Sequence, residues 1–168
     1  WQGGYYFRDI SGKGRVITLA RDPVVWNENL QVSGDSIYAF FKEDVDDIYI
    51  IRSAFALQQN EIVTLRYDQI SGIFMHIKFL DNQVNYIQVD TNAVSIYFVY
   101  DTNDPNGANR STGDVIKLYF KDKQVDKVNI FGKPKGTYFP ENLVNTDELR
   151  LLGFRIRSDK PVRITPSQ

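Results

Sequence analysis

Residues 113–120, GDVIKLYF, decide the fold of this chain, because their pattern of apolar side chains also occurs at two earlier places. In each copy a glycine is followed three, five and seven residues later by an apolar residue. Alternation with a period of two is typical of a β-strand with one buried face. The glycine anchors are Gly34, Gly72 and Gly113. The apolar positions after them are Ile37, Ala39 and Phe41, then Met75, Ile77 and Phe79, then Ile116, Leu118 and Phe120.

A polar turn and a second apolar strand follow each of these strands. The second strands share a spacing of three and then two residues: Val45, Ile48 and Ile50; Val84, Ile87 and Val89; Val125, Val128 and Ile130. The glycine anchors lie 38 and 41 residues apart. A strand repeat of this length predicts one supersecondary unit stacked on copies of itself. We therefore expect the function to lie along a shared surface of the copies rather than in a single pocket.

A third strand is predicted in each copy, at 53–57, 92–97 and 133–138. Pro134 has no backbone N–H group, which predicts that the last of these strands lies at an edge or is interrupted. Asp101–Arg110 is rich in Asp, Asn, Gly and Pro and is predicted to be the longest polar loop. Turn-forming Asp and Asn residues also occupy the hairpin connections.

The pattern predicts an all-β domain over residues 1–144, with three repeats at about 27–61, 67–101 and 107–141. Residues 145–168 are predicted to form a short helix or turn, capped by Asn145 or Thr146 and stopped by Gly153, and a basic terminal segment packed on the same domain. The strands can stack as an open roll or close into a barrel. Unequal repeat lengths favour the stacked form, because insertions bulge from one side without breaking register.

The residue inventory excludes several kinds of chemistry. The 168 residues include 20 basic and 21 acidic side chains, so a global attraction to nucleic acid is not expected. There is no cysteine and one histidine, His76, which excludes disulfides, the usual zinc sites and histidine triads of the common kind. The carboxylates fall in lysine-containing turns, as solvated charges do, and His76 is interpreted as a surface residue. We predict no catalytic residues, no metal site and no cofactor.

The chain resembles the OstA-like, lipopolysaccharide-transport periplasmic family of bacterial envelopes over about residues 15–140. The resemblance rests on the order of several stretches rather than on one diagnostic motif. These stretches are Asn29–Ile37, Asp68–Gly72, Asn92–Tyr97, Gly113–Phe120 and Gly132–Gly136. Leu149–Phe154 resembles the longer OstA-like proteins of Bacteroidota.

This resemblance implies an open β-jelly-roll in which two sheets meet in a V and enclose an apolar groove. It implies a non-enzymatic domain in the periplasm or at the outer membrane, which carries lipopolysaccharide or a related lipid. The implied partners are other OstA-like domains, joined through edge strands, and an outer-membrane β-barrel. The candidate groove residues are Ile37, Phe41, Ile50, Ile77, Phe79, Val89, Leu118, Phe120 and Ile130.

The basic carboxy-terminal part supplies three candidates for contact with lipid phosphate groups, Arg155, Arg157 and Arg163, because guanidinium groups bind phosphate in a bidentate way. A solvated terminal segment is the simpler interpretation of the same residues. Two alternatives to lipid transport also remain. The apolar stripe can be a filled core in a structural or assembly module, or the domain can bind glycans through Trp1, Trp26 and its ten tyrosines.

Overall fold

The computed structural model describes residues 4–9, 15–27, 29–41, 45–81, 83–122 and 124–157. Within these ranges the chain forms eleven β-strands, one 3₁₀ helix at Glu141–Leu143, and no α-helix. The strands are β1 Gly4–Asp9, β2 Arg15–Ala20, β3 Val24–Asn27, β4 Leu30–Ser33, β5 Ser36–Phe41, β6 Val45–Gln59, β7 Tyr67–Leu80, β8 Gln83–Asp101, β9 Asp104–Lys121, β10 Gln124–Phe131 and β11 Lys135–Pro140. The prediction of an all-β chain is confirmed.

All the described strands belong to one antiparallel sheet. Its main order is β1-β2-β5-β6-β7-β8-β9-β10, so most neighbours in the chain are also neighbours in the sheet. In addition, β4 pairs with β3 and β6, and β11 pairs with β9. Within the described residues β1 and β10 each have one partner strand, so the sheet stays open and does not close into a barrel.

The sheet folds into two layers because the chain turns sharply along one line. At four places two consecutive residues have positive φ, namely 21–22, 52–53, 91–92 and 132–133. Two of these corners interrupt β6 and β8, where the pairing register shifts, and the other two connect β2 to β3 and β10 to β11. A residue other than glycine in this conformation costs roughly 1–2 kcal/mol. The packing on either side of each corner must therefore offset this steric cost.

The first layer contains β1, β2, β5, β10 and residues 45–51, 74–80, 83–90 and 115–121 of the long strands. The second layer contains β3, β4, β11 and residues 54–59, 67–72, 93–101 and 104–113. Strands β6–β9 thus pass through both layers. This is the open β-jelly-roll that the family resemblance implied.

Each glycine anchor of the sequence repeat lies against a corner of the neighbouring strand. A methyl group added at Gly72 would lie 2.4 Å from Cγ1 of Val89 and 3.2 Å from the carbonyl oxygen of Asp90. The other two anchors have equivalent neighbours, Ile50 and Arg52 for Gly34, and Ile130 and Phe131 for Gly113. The glycines therefore recur because only a residue without a side chain lets the backbone approach the bend.

The interior of the jelly-roll is built from rows of apolar residues that cross the strands. One row runs through register partners from β5 to β10, Ile37, Ile50, Met75, Val89, Ile116 and Ile130. The first five are at most 2% exposed. Leu30 and Val32 of β4 cover this row from the second layer, together with small residues such as Ala54 and Ala56. This cluster is the main core of the domain.

The spacing of three residues in the second strand is accompanied by a β-bulge in copies two and three, but not in copy one, where Val45 to Ile48 pair with β7 without a register shift. The register shifts between Lys78 and Phe79 where β7 pairs with β8, and between Val125 and Lys127 in β10. A bulge places two residues opposite one, so the next inward-facing residue comes one position later than strict alternation predicts. The bulge therefore explains the spacing of Val125 and Val128 in copy three.

The predicted long loop at Asp101–Arg110 is wrong. Asp101 pairs with Asp104, and only Thr102 and Asn103 form the turn between β8 and β9. Thr102 has a φ of 59°, as two-residue hairpin turns require. The remaining polar residues belong to β9, which pairs with β8 on one side and with β11 on the other.

The predicted helix near residues 145–152 is a single turn. The Leu149 N–H donates to the Asn145 carbonyl at 3.1 Å, and the Asn145 side chain accepts the Asp147 N–H at 3.2 Å. Asn145 therefore acts as the predicted cap, but no helix follows. Gly153, with a φ of 94°, occupies the next turn. Residues 154–157 form no strand, and the rest of the basic tail lies outside the described residues.

The segment 145–157 covers the outer face of the second layer. Leu149 and Leu151 pack with Phe55, Ile96 and Phe98 in a second apolar cluster. Two buried glutamines attach the segment, because the side-chain amide of each accepts one backbone N–H of the segment and donates to one of its carbonyls. Gln69 accepts the Leu151 N–H at 2.9 Å and donates to the Leu149 carbonyl at 3.4 Å. Gln31 accepts the Arg157 N–H and donates to the Arg155 carbonyl, both at 2.8 Å.

The domain boundaries that the sequence predicts, 1–144 and 145–168, stay a prediction.

We expect Gly72→Ala to lower the free energy of unfolding by about 1–3 kcal/mol, because the added methyl group overpacks the corner beside Val89. Gly136→Ala is the matched control, since nothing lies within 4 Å of a methyl group there, and we expect a change within about 0.5 kcal/mol. Urea denaturation followed by circular dichroism measures both. Equal effects of the two substitutions would show that the anchor contact does not matter.

We expect Gln69→Met to lower the free energy of unfolding by about 1–3 kcal/mol, because it leaves the Leu151 N–H and the Leu149 carbonyl without their partner. Gln59→Met serves as control, because the hydrogen bond from Gln59 to Thr64 is exposed. Chemical denaturation again gives the comparison. A loss no greater than that of the control would contradict the role assigned to the Gln69 amide.

Candidate functional site

A cavity of about 360 Å³ separates the two layers near β9 and β10. One side of it belongs to the first layer and is hydrocarbon throughout. We call this side the apolar wall, and its residues are Ile87, Leu118, Phe120, Val125, Val128 and Ile130. Five of these six residues come from the hairpin of β9 and β10.

The space between the layers widens from β5 toward β10, as the decreasing burial of the first-layer side chains shows. A second row of register partners contains Ile48, Ile77, Ile87, Leu118 and Val128. Ile77 is completely buried and Ile87 nearly so, Leu118 is partly exposed, and Val128 is 46% exposed. The space is therefore packed shut at the β5 end and open at the β10 end.

The opposite side of the cavity belongs to the second layer and is mixed, because Leu30, Ala56, Ile70 and Ile96 line it together with polar residues. We call its polar part the polar wall, and this consists of Gln58, Asp68, Ser95, Tyr97, Asn109 and Ser111. The register places these residues side by side, since Gln58 pairs with Asp68, Ser95 with Ser111, and Tyr97 with Asn109. These short or polar side chains leave the facing apolar wall uncovered.

Asp68 is the most unusual residue of the polar wall. Its Oδ1 accepts the Phe98 N–H at 2.8 Å, where the ladder between β7 and β8 ends. Burial raises the pKa of Asp68 to about 7, and the hydrogen bond from Phe98 opposes this rise only in part. Burial also raises the pKa of Tyr97, and the nearby Asp68 adds to the effect. Near neutral pH the wall therefore contains a carboxyl group that is protonated in part of the molecules.

The nine predicted groove residues separate into three groups. Ile37, Ile50, Ile77, Val89 and Phe79 belong to the packed core. Leu118, Phe120 and Ile130 line the cavity. Phe41, at the end of β5, is 38% exposed. Sequence reasoning did not select Ile87, Val125 and Val128, although the repeat contains them, and it missed the polar wall entirely.

The predicted phosphate-binding arginines lie away from this cavity. Arg155 and Arg157 both pair with Asp22, at 3.3 and 3.0 Å, on the outer face of the second layer. They line a wider recess of about 760 Å³ along the corner line, whose floor includes Gly34, Ser71 and other small residues. This recess has no continuous apolar wall. Arg163 lies outside the described residues.

His76 lies on the outer face of the first layer, as predicted for a surface histidine. Its Nε2 is 2.7 Å from Oδ1 of Asp47, and its ring stacks on Tyr49 with 4.4 Å between centroids. The ring contacts continue across the sheet, through Phe40 on one side and through Tyr86 on the other. The stacked contact covers one face of the Tyr49 ring and one face of the His76 ring.

The described part of the chain holds no group of three His, Cys, Asp or Glu side chains that could bind a metal ion. In the same part of the chain, no helix has the length and apolar character needed to cross a membrane.

The geometry is that of an open β-jelly-roll with a partly filled interior, and solved structures share it. One is LptH, described as the LptA-homologous periplasmic component of the conserved lipopolysaccharide transport device from Pseudomonas aeruginosa. The two chains are 14% identical, with a TM-score of 0.57, over 83% of this chain and 94% of LptH. No protein-family model and no curated protein matches this chain. The likeness to LptH therefore establishes the fold.

We expect the stability of the protein to fall as the pH rises, because the pKa of Asp68 is about 7 in the folded chain against 3.8 for a free side chain. The native state favours the protonated carboxyl, so this contribution is present below about pH 4 and lost as the pH passes about 7. Since each tenfold change in proton affinity corresponds to about 1.4 kcal/mol, we expect a loss of the order of 1–4 kcal/mol. Asp68→Asn keeps an acceptor for Phe98 and cannot ionise. Urea denaturation from about pH 4 to pH 8 should show the loss in the wild type only, and parallel curves for the two proteins would contradict it.

Proposed function

We propose that this protein is a non-enzymatic lipid-binding domain that carries lipopolysaccharide or a related lipid of the bacterial envelope. The observation that carries the proposal is the cavity between the two layers, with its continuous apolar wall. Burying one methylene group of a lipid contributes about 0.8 kcal/mol, so the wall can hold acyl chains without any specific polar contact. The likeness of the fold to LptH supports the same interpretation.

The proposed site is smaller than the groove predicted from the sequence. Leu118, Phe120 and Ile130 are retained as lining residues, and Ile87, Val125 and Val128 are added. The five residues of the packed core fill the interior next to the site. The proposal assigns no lipid phosphate to Arg155 and Arg157, because both pair with Asp22 on the other face of the second layer.

The cavity opens beside β10, which pairs only with β9 among the described strands. An edge strand offers unpaired N–H and C=O groups and can accept a strand of another chain. We propose that another OstA-like domain adds to this edge, so that its apolar groove continues the cavity. An outer-membrane β-barrel would be the receiving partner at the end of such a bridge, and the protein would act in the periplasm or at the outer membrane.

Two features support a carrier rather than an enzyme or a glycan-binding module. The His76–Asp47 pair lies on the outer face of the first layer and not in the cavity. On that face Tyr49 stacks on His76 and Tyr86 contacts Tyr119, so part of the aromatic surface is used within the sheet. An assembly module with a fully filled core would not contain the cavity.

We expect Leu118→Asp to reduce lipid binding more than tenfold, because it places a charge in the apolar wall, where hydrocarbon cannot solvate it. Leu80→Asp is the matched control, since Leu80 is 44% exposed and does not line the cavity. Displacement of a fluorescent fatty acid and native mass spectrometry of the purified protein measure the binding. Ile77 is unsuitable for this test, because it is completely buried and an aspartate there would unfold the core.

Circular dichroism must first show that both variants retain the β-sheet signal. If the wild type binds no lipid, or if Leu118→Asp binds as the wild type does, the proposed function is wrong. Crosslinking of a photoactivatable lipid to the hairpin of β9 and β10 gives an independent reading of the same site.

A further inference from the structure

The two walls of the cavity have opposite chemistry. Every residue of the apolar wall is hydrocarbon, whereas the polar wall presents a carboxyl group, two amides and three hydroxyl groups from four adjacent strands. The second layer also contributes the apolar lining residues Leu30, Ala56, Ile70 and Ile96, so the polar groups form a patch on that side. A container for plain hydrocarbon would need no such patch. The asymmetry therefore points to a ligand that carries polar atoms along one side of a chain.

The polar wall is a built arrangement rather than a random scatter of surface residues. Its members occupy inward-facing positions of β6, β7, β8 and β9, directly opposite one another in the register. In the same layer, Ile70 and Ala56 occupy the neighbouring inward positions, where they belong to the core cluster and also line the adjoining end of the cavity. The change from apolar to polar side chains thus lies where the packed core gives way to the cavity.

The groups of the polar wall have unused hydrogen-bonding capacity. Asp68 accepts one hydrogen bond, at Oδ1 from the Phe98 N–H, and makes no other within the described residues. The hydroxyl group of Tyr97 likewise has no hydrogen bond to the described part of the chain. Water can satisfy these groups while the cavity is open, but a hydrocarbon chain that displaces the water cannot.

We propose that the polar wall is a hydrogen-bonding subsite that selects acyl chains bearing a hydroxyl or carbonyl oxygen over plain hydrocarbon chains. This inference rests on the proposed function, because it names the class of lipid that the same cavity takes. A site that hydrogen-bonds an oxygen of its ligand rejects the analogue without it, since the polar groups of the site are then left unpaired. The chain would lie with its hydrocarbon on Leu118 and Phe120 and its oxygen toward Asp68 and Tyr97.

The test compares palmitate with hydroxypalmitates that differ only in the position of the hydroxyl group. Each competes with a fluorescent fatty acid for the full protein. We expect at least one hydroxypalmitate to bind about tenfold more tightly than palmitate, the difference that one satisfied hydrogen bond in a water-poor site provides. Tyr97→Phe combined with Ser111→Ala removes two hydroxyl groups of the polar wall and leaves the apolar wall unchanged. In this variant the preference should fall to about twofold or less.

Tyr38→Phe is the control, because Tyr38 lies on the outer face of the first layer and should keep the full preference. If the double variant does not fold, Ser111→Ala and Ser95→Ala are measured singly and should each reduce the preference. Equal binding of palmitate and all hydroxypalmitates by the wild type would overturn the inference and leave the proposed function intact. A preference as large in the double variant as in the wild type would also overturn it. If neither kind of fatty acid binds, both the inference and the proposed function fail.

Discussion

The close approach of each anchor glycine to a corner of the next strand is the contact on which the architecture depends. Gly34, Gly72 and Gly113 let the backbone of one strand lie against the bend of its neighbour, at distances that no side chain permits. The Asp35 N–H donates to the Arg52 carbonyl at 3.0 Å, and the Asp114 N–H donates to the Gly132 carbonyl at 2.9 Å. These hydrogen bonds hold the strand after the glycine to the residue at the bend. The contact aligns successive bends, so that one continuous sheet becomes two facing layers.

Once the layers face each other, the size of their side chains decides where the interior is full. At the β5 end, Leu30 and Val32 of the second layer reach the apolar rows of the first. At the β10 end the facing residues include Ser95 and Ser111, which are too short to do so. The cavity is therefore present because the second layer has short side chains such as Ser95 and Ser111 at this end. This explains why some stripe residues form a core and others line the cavity, although their sequence pattern is the same.

The sequence allowed the hairpins and their inward faces to be predicted, because a period of two depends only on neighbouring side chains. It did not reveal the corners. Their residue pairs are Arg-Asp, Arg-Ser, Thr-Asn and Gly-Lys, which share no composition, and the recurring signal lies in the glycine of the opposite strand. The stretch from Asp101 to Arg110 has the composition of a loop, but pairing with strands on both sides makes it part of β9.

The candidate site was predictable only in part, for a related reason. Leu118, Phe120 and Ile130 could be chosen as apolar and inward-facing, but their exposure depends on what the other layer places opposite them. Asp68 occupies an inward position of β7 two residues before Ile70, and this polar residue in an apolar register was the available signal for the polar wall. The sequence alone could not show that Asp68 and Tyr97 lie near each other, because their strands meet only in the folded sheet.

Because β8 and β9 pass through both layers, they help to form both walls of the cavity, and the walls cannot move apart as independent plates. Any widening of the cavity must therefore change the backbone angles at the corners, where eight residues have positive φ. Seven of them carry side chains, and the eighth is Gly132, between β10 and β11. Glycine adopts such angles with the least steric cost. The corner with the fewest steric restrictions on its backbone therefore lies at the β10 end, where the two layers are also least closely packed, and a bulky ligand would widen this end rather than the whole cavity.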